Sequence, residues 1–285
     1  MNLLREAERP LRPATQALEG TGSPQPATIA AAAPAAPARS RWSEERGAYA
    51  VRFARNEADR RAVQALRYDV FARELGARVE GGDLGLDLDP LDERADHLMV
   101  LERATGDCIG SYRLATAEQV GAPGFYTERL FELDRLPSGV RRDGVELGRA
   151  CVALGHRNRG VLQLLLRGIG AHLVETGKRF VFGCGSVGLK DEGQARQALA
   201  EVASEDWLDP TLDVTPTPAY RPSYPASSSG SRPEIPPLLY AYCAIGARLA
   251  CAPAWDPDFR TLDFFVLLDL EHVEPRTFAR YCGKR

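Results

Sequence analysis

The fold is decided by a strand–helix–strand unit whose first strand reads Val145-Glu146-Leu147-Gly148-Arg149-Ala150-Cys151-Val152-Ala153-Leu154. Residues 160–176, which follow it, are strongly apolar and predict a helix, and residues 179–184 predict a second strand. Such a unit belongs to sheets that carry helices on their faces. We therefore expect a sheet of the α/β class that contains both strands.

Further strands and helices are predicted on both sides of this unit from the spacing of apolar residues. Upstream these are a strand at 49–54, a helix at 57–75 that Gly76 ends, and a hairpin of strands 97–102 and 108–114. Downstream they are helices at 192–202 and 238–249 and a strand at 264–270. This order indicates one mixed α/β (α+β) domain with a central sheet flanked by helices.

Proline-rich composition marks two segments that we expect to lie outside the packed core. Of the 20 prolines among 285 residues, six precede residue 40 and eight lie between Pro210 and Pro237. Chains of this composition bury too little apolar surface to offset the entropy cost of ordering. We expect a disordered Ala/Pro-rich tail over 1–48 and a domain over 49–285 with a Pro/Ser-rich surface excursion at 209–237. Neither segment is expected to carry chemistry.

Bulk composition excludes several classes of function. The 36 Lys and Arg residues against 39 Asp and Glu give a net charge of -3, which offers no general attraction to nucleic acid. No apolar run approaches the roughly 20 residues of a membrane-spanning helix, and acidic residues near the start argue against a secretory signal. Six scattered cysteines match neither a zinc site nor a disulfide framework. A cytoplasmic protein without a nucleic-acid partner is expected.

Two further motifs have competing interpretations. Gly183 to Gly188 fits G-x-G-x-x-G, but the helix after it completes no βαβ unit, so a glycine-rich turn is favoured over nucleotide binding. The loop 80–96 holds seven Asp and Glu residues, yet it has Leu91 and Asp92 where an EF-hand needs an Asp or Asn and a Gly. A solvated acidic loop and a loop that binds a cation, such as a substrate ammonium, both remain open. The sequence contains no G-x-S-x-G, P-loop or H-x4-D motif.

The strand 145–154 carries the strongest candidate chemistry. Glu146 and Arg149 would face opposite sides of a regular strand. Gly148 between them predicts a bulge, which would re-aim the two side chains and free backbone N–H groups. The apolar helix that follows opens with two arginines and a glycine, Arg157, Arg159 and Gly160. This pattern suggests an anion site at a helix N-terminus, although basic residues also precede helices that bind nothing.

Short motifs in a fixed order extend along most of the chain. They are Leu66-Arg67-Tyr68-Asp69-Val70-Phe71, Glu74-Leu75-Gly76-Ala77, Asp87-x-Asp89, Asp96-His97-Leu98, Gly110-Ser111-Tyr112-Arg113-Leu114, Gly124-Phe125-Tyr126, Glu146-Leu147-Gly148-Arg149, Gly183-Cys184-Gly185-Ser186, Pro253-Ala254-Trp255-Asp256-Pro257-Asp258-Phe259 and Thr261-x-Asp263-Phe264. Over about residues 50–270 the chain resembles the ornithine-lipid N-acyltransferases (L-ornithine N-alpha-acyltransferases). These are GNAT-like acyltransferases, often labelled hemolysins, and are similar to the acyl-homoserine-lactone synthases.

This resemblance implies a GNAT-like N-acyltransferase fold and a specific reaction. A fatty acyl group, often 3-hydroxylated, would pass from acyl carrier protein to the α-amine of ornithine and form a lyso-ornithine lipid. No metal or nucleotide cofactor is implied, and the partner is acyl carrier protein. The enzyme would be cytoplasmic, with a peripheral contact at the inner membrane through its lipid product. Two alternatives stay open: an enzyme like the acyl-homoserine-lactone synthases that uses another amine, and a non-catalytic acyl-binding module.

The resemblance also assigns roles to residues. Glu146, as a base for the amine, and Arg149 would be catalytic. The residues that would contact the substrates are Arg67, Phe71, Asp87, Asp89, Arg113, Gly148 and Cys151. The residues that would hold the carrier protein and its pantetheine are Arg157, Arg159 and Gly160. Within the substrate group, Asp87 and Asp89 are expected to hold the δ-ammonium of ornithine, and an arginine its carboxylate.

The chain also departs from the patterns of these families. The GNAT pyrophosphate loop [RQ]-x-x-G-x-[GA] is reduced to Arg157-x-x-Gly160-x-Leu162. This change weakens a coenzyme A donor more than a carrier-protein donor, because a carrier-borne pantetheine has no pyrophosphate. Leu166 stands where Trp is common in the family, and Tyr240 and Ala244 stand where basic residues are usual.

Overall fold

A mixed sheet of nine strands forms the centre of the molecule, which is described here by a computed structural model for residues 40–224 and 232–283. In chain order the strands are β1 Ser43–Arg46, β2 Tyr49–Phe53, β3 Asp96–Glu102, β4 Cys108–Thr116, β5 Phe131–Glu132, β6 Gly144–Val152, β7 Phe180–Gly188, β8 Thr215–Pro216, β9 Arg248–Leu249, β10 Ala254–Asp256 and β11 Thr261–Asp269. The sheet has the order β1-β2-β3-β4-β6-β7-β11-β10, with β9 paired to β11, while β5 and β8 form a separate ladder. Among these pairs β6 and β7 are parallel and the others are antiparallel.

Helices cover both faces of this sheet. They are α1 Glu57–Arg67, α2 Ala117–Val120, α3 Thr127–Leu130, α4 Ser138–Arg142, α5 Arg159–Thr176, α6 Ala195–Ser204, α7 Pro237–Ala244 and α8 Pro275–Cys282. Leu98 of β3 belongs to the same buried cluster as Leu164 of α5, whereas the next residue, Met99, belongs to the cluster that contains Val63 of α1. Successive residues of a strand point to opposite faces, so α5 and α1 lie on opposite sides. The predicted mixed α/β class with flanking helices is confirmed.

Helix α5 is fixed at both ends by its own sequence. The side chain of Asn158 accepts hydrogen bonds from the N–H groups of Gly160 at 2.9 Å and Val161 at 3.1 Å, which caps the start of the helix. Gly177 ends the helix in left-handed backbone with φ 64°. The apolar face between these caps packs on the sheet. The helix itself connects β6 to its parallel neighbour β7.

The strands β6 and β7 pair over only half of their length. Gly144–Leu147 lies opposite Phe180–Gly183, and beyond these residues β6 stays paired with β4 while β7 stays paired with β11. A Cβ atom on Gly183 would lie 2.3 Å from the carbonyl oxygen of Leu147, so glycine is required at this last close approach. Beyond that point the two strands diverge and leave a V-shaped opening in the middle of the sheet.

The predicted bulge in β6 is confirmed and lies at the start of this opening. The register between β4 and β6 shifts between Ser111 and Arg113, which lie opposite Cys151 and Gly148. The residue that takes the left-handed conformation is Arg149, with φ 51°, and not its glycine neighbour. This conformation is costly for a side-chain-bearing residue, and such costs are usually offset by local contacts.

Several predicted elements differ from the structure. Strand β1 lies inside the segment that was predicted to be the 1–48 tail. It belongs to the folded domain, because it pairs with β2 and its Glu44 forms a 2.6 Å salt bridge with Arg167 of α5. Residues 1–39 lie outside the described residues. The predicted helix at 57–75 is α-helical only to Arg67 and continues as a π-helical turn, Tyr68–Glu74.

Two differences concern the second half of the chain. The predicted turn Gly183 to Gly188 is part of strand β7, because β11 pairs with it along this whole stretch. The predicted helix 238–249 ends at Ala244, since Gly246 has φ 104° and the chain then enters β9. The predicted excursion 209–237 contains β8, and its residues 225–231 lie outside the described part of the chain.

Candidate active site

The V-shaped opening leads into a cavity of about 500 Å³. Both diverging strands line it, together with the π-helical turn, α7 and β11. Among the described residues, the charged side chains of its wall are Glu146, Arg149, Glu234, Asp256 and Asp263. Four carboxylates against one guanidinium favour a ligand that carries an amine. Glu234 belongs to the predicted 209–237 excursion, so that segment is not remote from the site.

Glu146 lies at the closed end of the opening and is almost completely buried. Its Oε1 accepts the N–H of Thr127 at 2.6 Å and the hydroxyl of the same residue, and its Oε2 accepts the N–H of Tyr126 at 3.1 Å. Burial raises the pKa of the Glu146 carboxyl, although Arg113 and these hydrogen bonds oppose the shift. A carboxylate oxygen can accept two hydrogen bonds, so Oε2 still has room for a substrate amine or a water.

Arg149 reaches the same cavity because of the bulge. Its Nε lies 3.2 Å from Asp87 and its Nη2 lies 2.9 Å from Asp89. The guanidinium also lies 4.7 Å from the ring centre of Tyr126 and 4.9 Å from that of Phe259. Two ion pairs and two cation–π contacts hold this side chain and offset its unusual backbone conformation. Glu146 and Arg149, which a regular strand would separate, therefore line one cavity.

A balanced ionic network lies behind Arg149. Its members are three arginines and three aspartates, Arg67, Arg113, Arg149, Asp87, Asp89 and Asp92. Arg67 is fully buried and contacts Asp87 and Asp92, both at 2.7 Å, while Arg113 contacts Asp89 at 2.8 Å. Burial alone would raise the pKa of Asp89, but Arg113 and Arg149 outweigh it and lower that pKa. All three aspartates are held as charged partners of arginines.

This network changes the roles expected for Asp87 and Asp89. The sequence left a solvated loop and a cation-binding loop as alternatives, and the resemblance assigned these two carboxylates to a substrate ammonium. In the structure the side chains of both are almost inaccessible to solvent, both are paired with arginines, and neither lines the cavity. The cation they bind is the guanidinium of Arg149. They act as positioning residues for that side chain.

The other predicted substrate contacts divide into two groups. Phe71 and Gly148 line the cavity, Phe71 from the π-helical turn. Arg67 and Arg113 lie behind the cavity wall, because their guanidinium groups are engaged by the buried aspartates. Cys151 packs against Leu66 instead of the cavity, and burial raises the pKa of its thiol. It is therefore not placed to react.

The three residues predicted to hold the carrier arm lie at the start of α5. Arg157 donates to both carboxylate oxygens of Glu74, at 2.6 and 2.7 Å, so its charge is already paired. The N–H of Gly160 is used by the cap Asn158. Arg159 is exposed and forms no salt bridge with any residue in the described ranges. Of the two arginines, Arg159 has the free charge.

Asp256 and Asp263 are cavity residues to which the sequence assigned no role. The predicted strand began at residue 264, one position after Asp263, and so left this side chain outside the sheet. In the structure β11 begins at Thr261, and β10 brings Asp256 alongside it. A signal was present in the motifs at 253–259 and 261–264, which place acidic residues directly beside an apolar strand.

A narrow apolar crevice of about 80 Å³ adjoins the cavity. The two share Leu147, Cys184 and Tyr242, at the point where β6 and β7 separate. Residues of α5, β7, β11 and α8, together with the segments that follow α7 and β11, form the rest of its wall. A Cβ atom on Gly170 of α5 would lie 2.2 Å from the carbonyl oxygen of Tyr281, so α8 packs directly on this glycine and covers the crevice. The crevice is suited to a hydrocarbon chain.

Comparison with known proteins agrees with this architecture. The family described as "Acetyltransferase (GNAT) domain" matches residues 66–167, which include β3, β4, β6 and the first half of α5. The fold and the site thus define an N-acyltransferase of the GNAT class. The L-ornithine N(alpha)-acyltransferase of Rhizobium meliloti is 33% identical over 81% of this chain and 83% of that protein. The chain belongs to the L-ornithine N(alpha)-acyltransferase family.

Other relatives carry the same name. The L-ornithine N(alpha)-acyltransferase of Agrobacterium fabrum is 31% identical over 84% of this chain and 86% of that protein. Among solved structures, the AHL synthase LasI covers 83% of this chain and 95% of its own, with a TM-score of 0.49 and 11% identity.

Neither a cluster of metal ligands nor a membrane-spanning helix is found in residues 40–224 and 232–283. No group of three or more His, Cys, Asp or Glu side chains in these ranges could hold a metal ion. None of the helices described is long and apolar enough to cross a membrane.

Proposed function

We propose that this N-acyltransferase moves a fatty acyl group from acyl carrier protein to the α-amine of ornithine and forms a lyso-ornithine lipid. The observation that supports it is the junction at Leu147 and Cys184 between an apolar crevice and a carboxylate-lined cavity. The apolar lining of the first space suits a fatty acyl chain, and the carboxylates of the second suit an amino acid. The reacting carbonyl would lie where they meet, beside Glu146. The names of the relatives supply the amino acid.

The opening between β6 and β7 suits the pantetheine arm of the acyl donor. An acyl group on a carrier protein is attached through pantetheine, a narrow arm with two amide groups. Within residues 40–224 and 232–283, the facing edges of β6 and β7 have no strand partner on that side beyond Leu147 and Gly183. Backbone N–H and C=O groups at such edges form hydrogen bonds with amides. The arm would enter through this opening and carry the thioester to Glu146.

The chemistry needs only a modest base. The nitrogen of the neutral α-amine attacks the thioester carbon, a C–N bond forms, the C–S bond breaks, and pantetheine leaves as a thiolate that then takes the proton held by Glu146. The proton that nitrogen loses would pass to Glu146 directly or through one water. A free α-amine has a pKa of about 8, so a carboxylate whose pKa is raised by burial is a sufficient acceptor near neutral pH.

Acyl transfer from a defined donor tests this function. The purified enzyme is supplied with ornithine or S-adenosylmethionine and one acyl chain, carried either by acyl carrier protein or by coenzyme A, and the product is followed by mass spectrometry. We expect N-acylornithine, formed faster from the carrier protein. Acylation of S-adenosylmethionine instead would indicate a lactone-synthase-like enzyme. Binding of the donor without product from either amine would indicate an acyl-binding module.

The carrier protein itself can be tested at Arg159. Acyl carrier proteins are strongly acidic, and this exposed arginine has no salt-bridge partner among the described residues. Arg159→Glu should raise KM for the acylated carrier protein and reduce the salt dependence of turnover. KM for the acyl-pantetheine thioester, which has neither the carrier protein nor a phosphate, serves as the internal control. Equal changes for both donors would remove Arg159 from the carrier surface.

A further inference from the structure

The motif at residues 253–263 places two acidic side chains on one wall of the cavity. Asp256 of β10 lies opposite Thr261 of β11, and Asp263 lies two residues further along the same strand. Residues opposite each other, or two apart on one strand, share a face of the sheet. Ser186 of β7 lies opposite Asp263 and completes this face. All four side chains line the cavity.

Asp263 has an unused acceptor. The residue is 3% exposed, and its Oδ1 has no hydrogen-bond partner within the described parts of the chain. Leaving a buried polar atom unpaired is costly, and such atoms in native proteins usually have a function. Because Asp263 lines the cavity, its free oxygen can be satisfied by a bound ligand.

Asp256 is held in place beside it. Its Oδ1 accepts the N–H groups of Asp258 at 2.9 Å and Phe259 at 3.1 Å, and its Oδ2 lies 3.4 Å from the hydroxyl of Tyr126. Two backbone donors fix the carboxylate in a buried position. No Arg, Lys or His in residues 40–224 or 232–283 forms a salt bridge with Asp256 or Asp263. The pair therefore lacks a cation from the protein.

The electrostatics of the cavity wall agree with this description. Burial raises the pKa of Asp263 to about 7, and the charge of Asp256 adds to the shift. The hydroxyls of Ser186 and Thr261 and the charge of Arg149 oppose it. Arg149 cannot fully neutralise the pair, because its guanidinium is bound by Asp87 and Asp89. A cation entering the cavity would supply the missing charge.

We propose that Asp256 and Asp263 bind the terminal ammonium of the acceptor amino acid and so select amino acids that carry a second amine. This inference rests on the proposed function, which puts the α-amine at Glu146. Ser186 lies four residues along β7 from Phe182, the partner of Glu146, or roughly 13 Å at 3.3 Å per residue. Extended ornithine separates its nitrogens by about 6 Å, and a hydrogen bond of about 2.8 Å at each end gives a comparable span.

The preference of the enzyme for an acceptor with a second amine measures the role of Asp256 and Asp263. The values of kcat/KM for ornithine and for 2-aminopentanoate, the same chain without its terminal amine, are compared with one acyl donor. We expect the wild-type enzyme to prefer ornithine at least 100-fold. Asp263→Asn and Asp256→Asn should each reduce that ratio at least tenfold, chiefly by raising KM for ornithine. Asp258→Asn is the matched control, because it makes the same change of charge at an exposed residue of the same loop.

The outcomes separate the inference from the function it rests on. If the wild-type enzyme acylates both amino acids equally well, acyl transfer stands and the ammonium site is wrong. If either variant loses activity on both amino acids in parallel, its carboxylate serves structure or catalysis and not recognition. If the wild-type enzyme acylates no amino acid, the proposed function itself fails. Thermal melting and donor binding show whether each variant is folded, and two independent variants guard against the failure of one.

Discussion

The guanidinium of Arg149 lies 4.7 Å from the ring centre of Tyr126, and the N–H of that tyrosine donates a hydrogen bond of 3.1 Å to Glu146. The two side chains assigned to catalysis are therefore joined through one residue. Arg149 holds the ring, and the backbone beside that ring holds the carboxylate. A change at Arg149 should reach Glu146 without any direct contact between them.

Arg149→Lys tests this arrangement. Lysine keeps the charge but loses the planar fork that contacts Asp87 and Asp89 together and stacks on Tyr126. We expect kcat/KM to fall roughly 10- to 100-fold, because one aspartate is left without its partner and the tyrosine is no longer held. The defect should persist at every pH, since both side chains stay charged. A near-normal rate would show that charge alone suffices; Arg135→Lys, at an exposed arginine outside the cavity wall, controls for the substitution.

Glu146→Gln separates base catalysis from positioning. The amide oxygen of glutamine can still accept from Thr127, but the side chain has no basicity. We expect kcat to fall about 10²- to 10⁴-fold at pH 7, as is typical when a general base is lost. Activity should recover in part at high pH, where the amine loses its proton without help. Nearly wild-type turnover at pH 7 would mean that Glu146 only anchors Tyr126 and Thr127.

The bulge was predictable from the sequence because its cause is local. A glycine between an acidic and a basic residue in a strand indicates a break in the pairing, and the break is found there, with the strain carried by Arg149. The mixed sheet and helix α5 were predictable for the same reason. Apolar periodicity and caps are short-range properties.

The positions and partners of the aspartates could not be predicted, because they depend on residues that are distant in sequence. Asp87 is neutralised by Arg67 and Arg149, which lie 20 and 62 positions away. Asp263 becomes a cavity residue only because β10 and β7 flank it with Asp256 and Ser186. The sequence alone shows only that Asp87, Asp256 and Asp263 are acidic.

Asp263 should make the stability of the empty enzyme depend on pH. Its pKa in the folded protein is about 7, against an ordinary value of 3.8. The folded state therefore binds its proton more tightly than the unfolded state does. Between about pH 4 and pH 7 only the unfolded state ionises, so stability falls as pH rises, by at most about 4 kcal/mol.

Asp263→Asn removes this titration. The difference in melting temperature between variant and wild type should therefore be small at pH 4 and clearly in favour of the variant at pH 8. Measuring both proteins without substrate across that range gives the answer. A difference that does not change with pH would show that Asp263 is ionised in the folded enzyme. Asp258→Asn, at an exposed site, should show no such trend.

Strand β1 makes a prediction about the start of the folded domain. The sequence placed that start at residue 49, whereas β1 pairs with β2 from Ser43, and Glu44 binds Arg167 of α5. A chain that begins at Ser40 should keep its melting temperature and activity, and one that begins at Tyr49 should melt several degrees lower. Equal melting of the two truncated chains would place β1 outside the cooperative unit.

Leu166 should set the length of the acyl chain. It lines the apolar crevice from α5, and the family resemblance would place Trp at this position. Leu166→Trp adds volume to a narrow space, and overpacking of a well-packed site is unfavourable. We therefore expect kcat/KM for long acyl donors to fall at least tenfold while short donors are affected much less, so that the optimum moves to shorter chains. A series of donors from 8 to about 18 carbons measures this shift.

Val174→Trp is the control, because Val174 is on the same helix, is 57% exposed and does not line the crevice. If Leu166→Trp lowers activity equally for every chain length, the acyl group does not occupy this crevice.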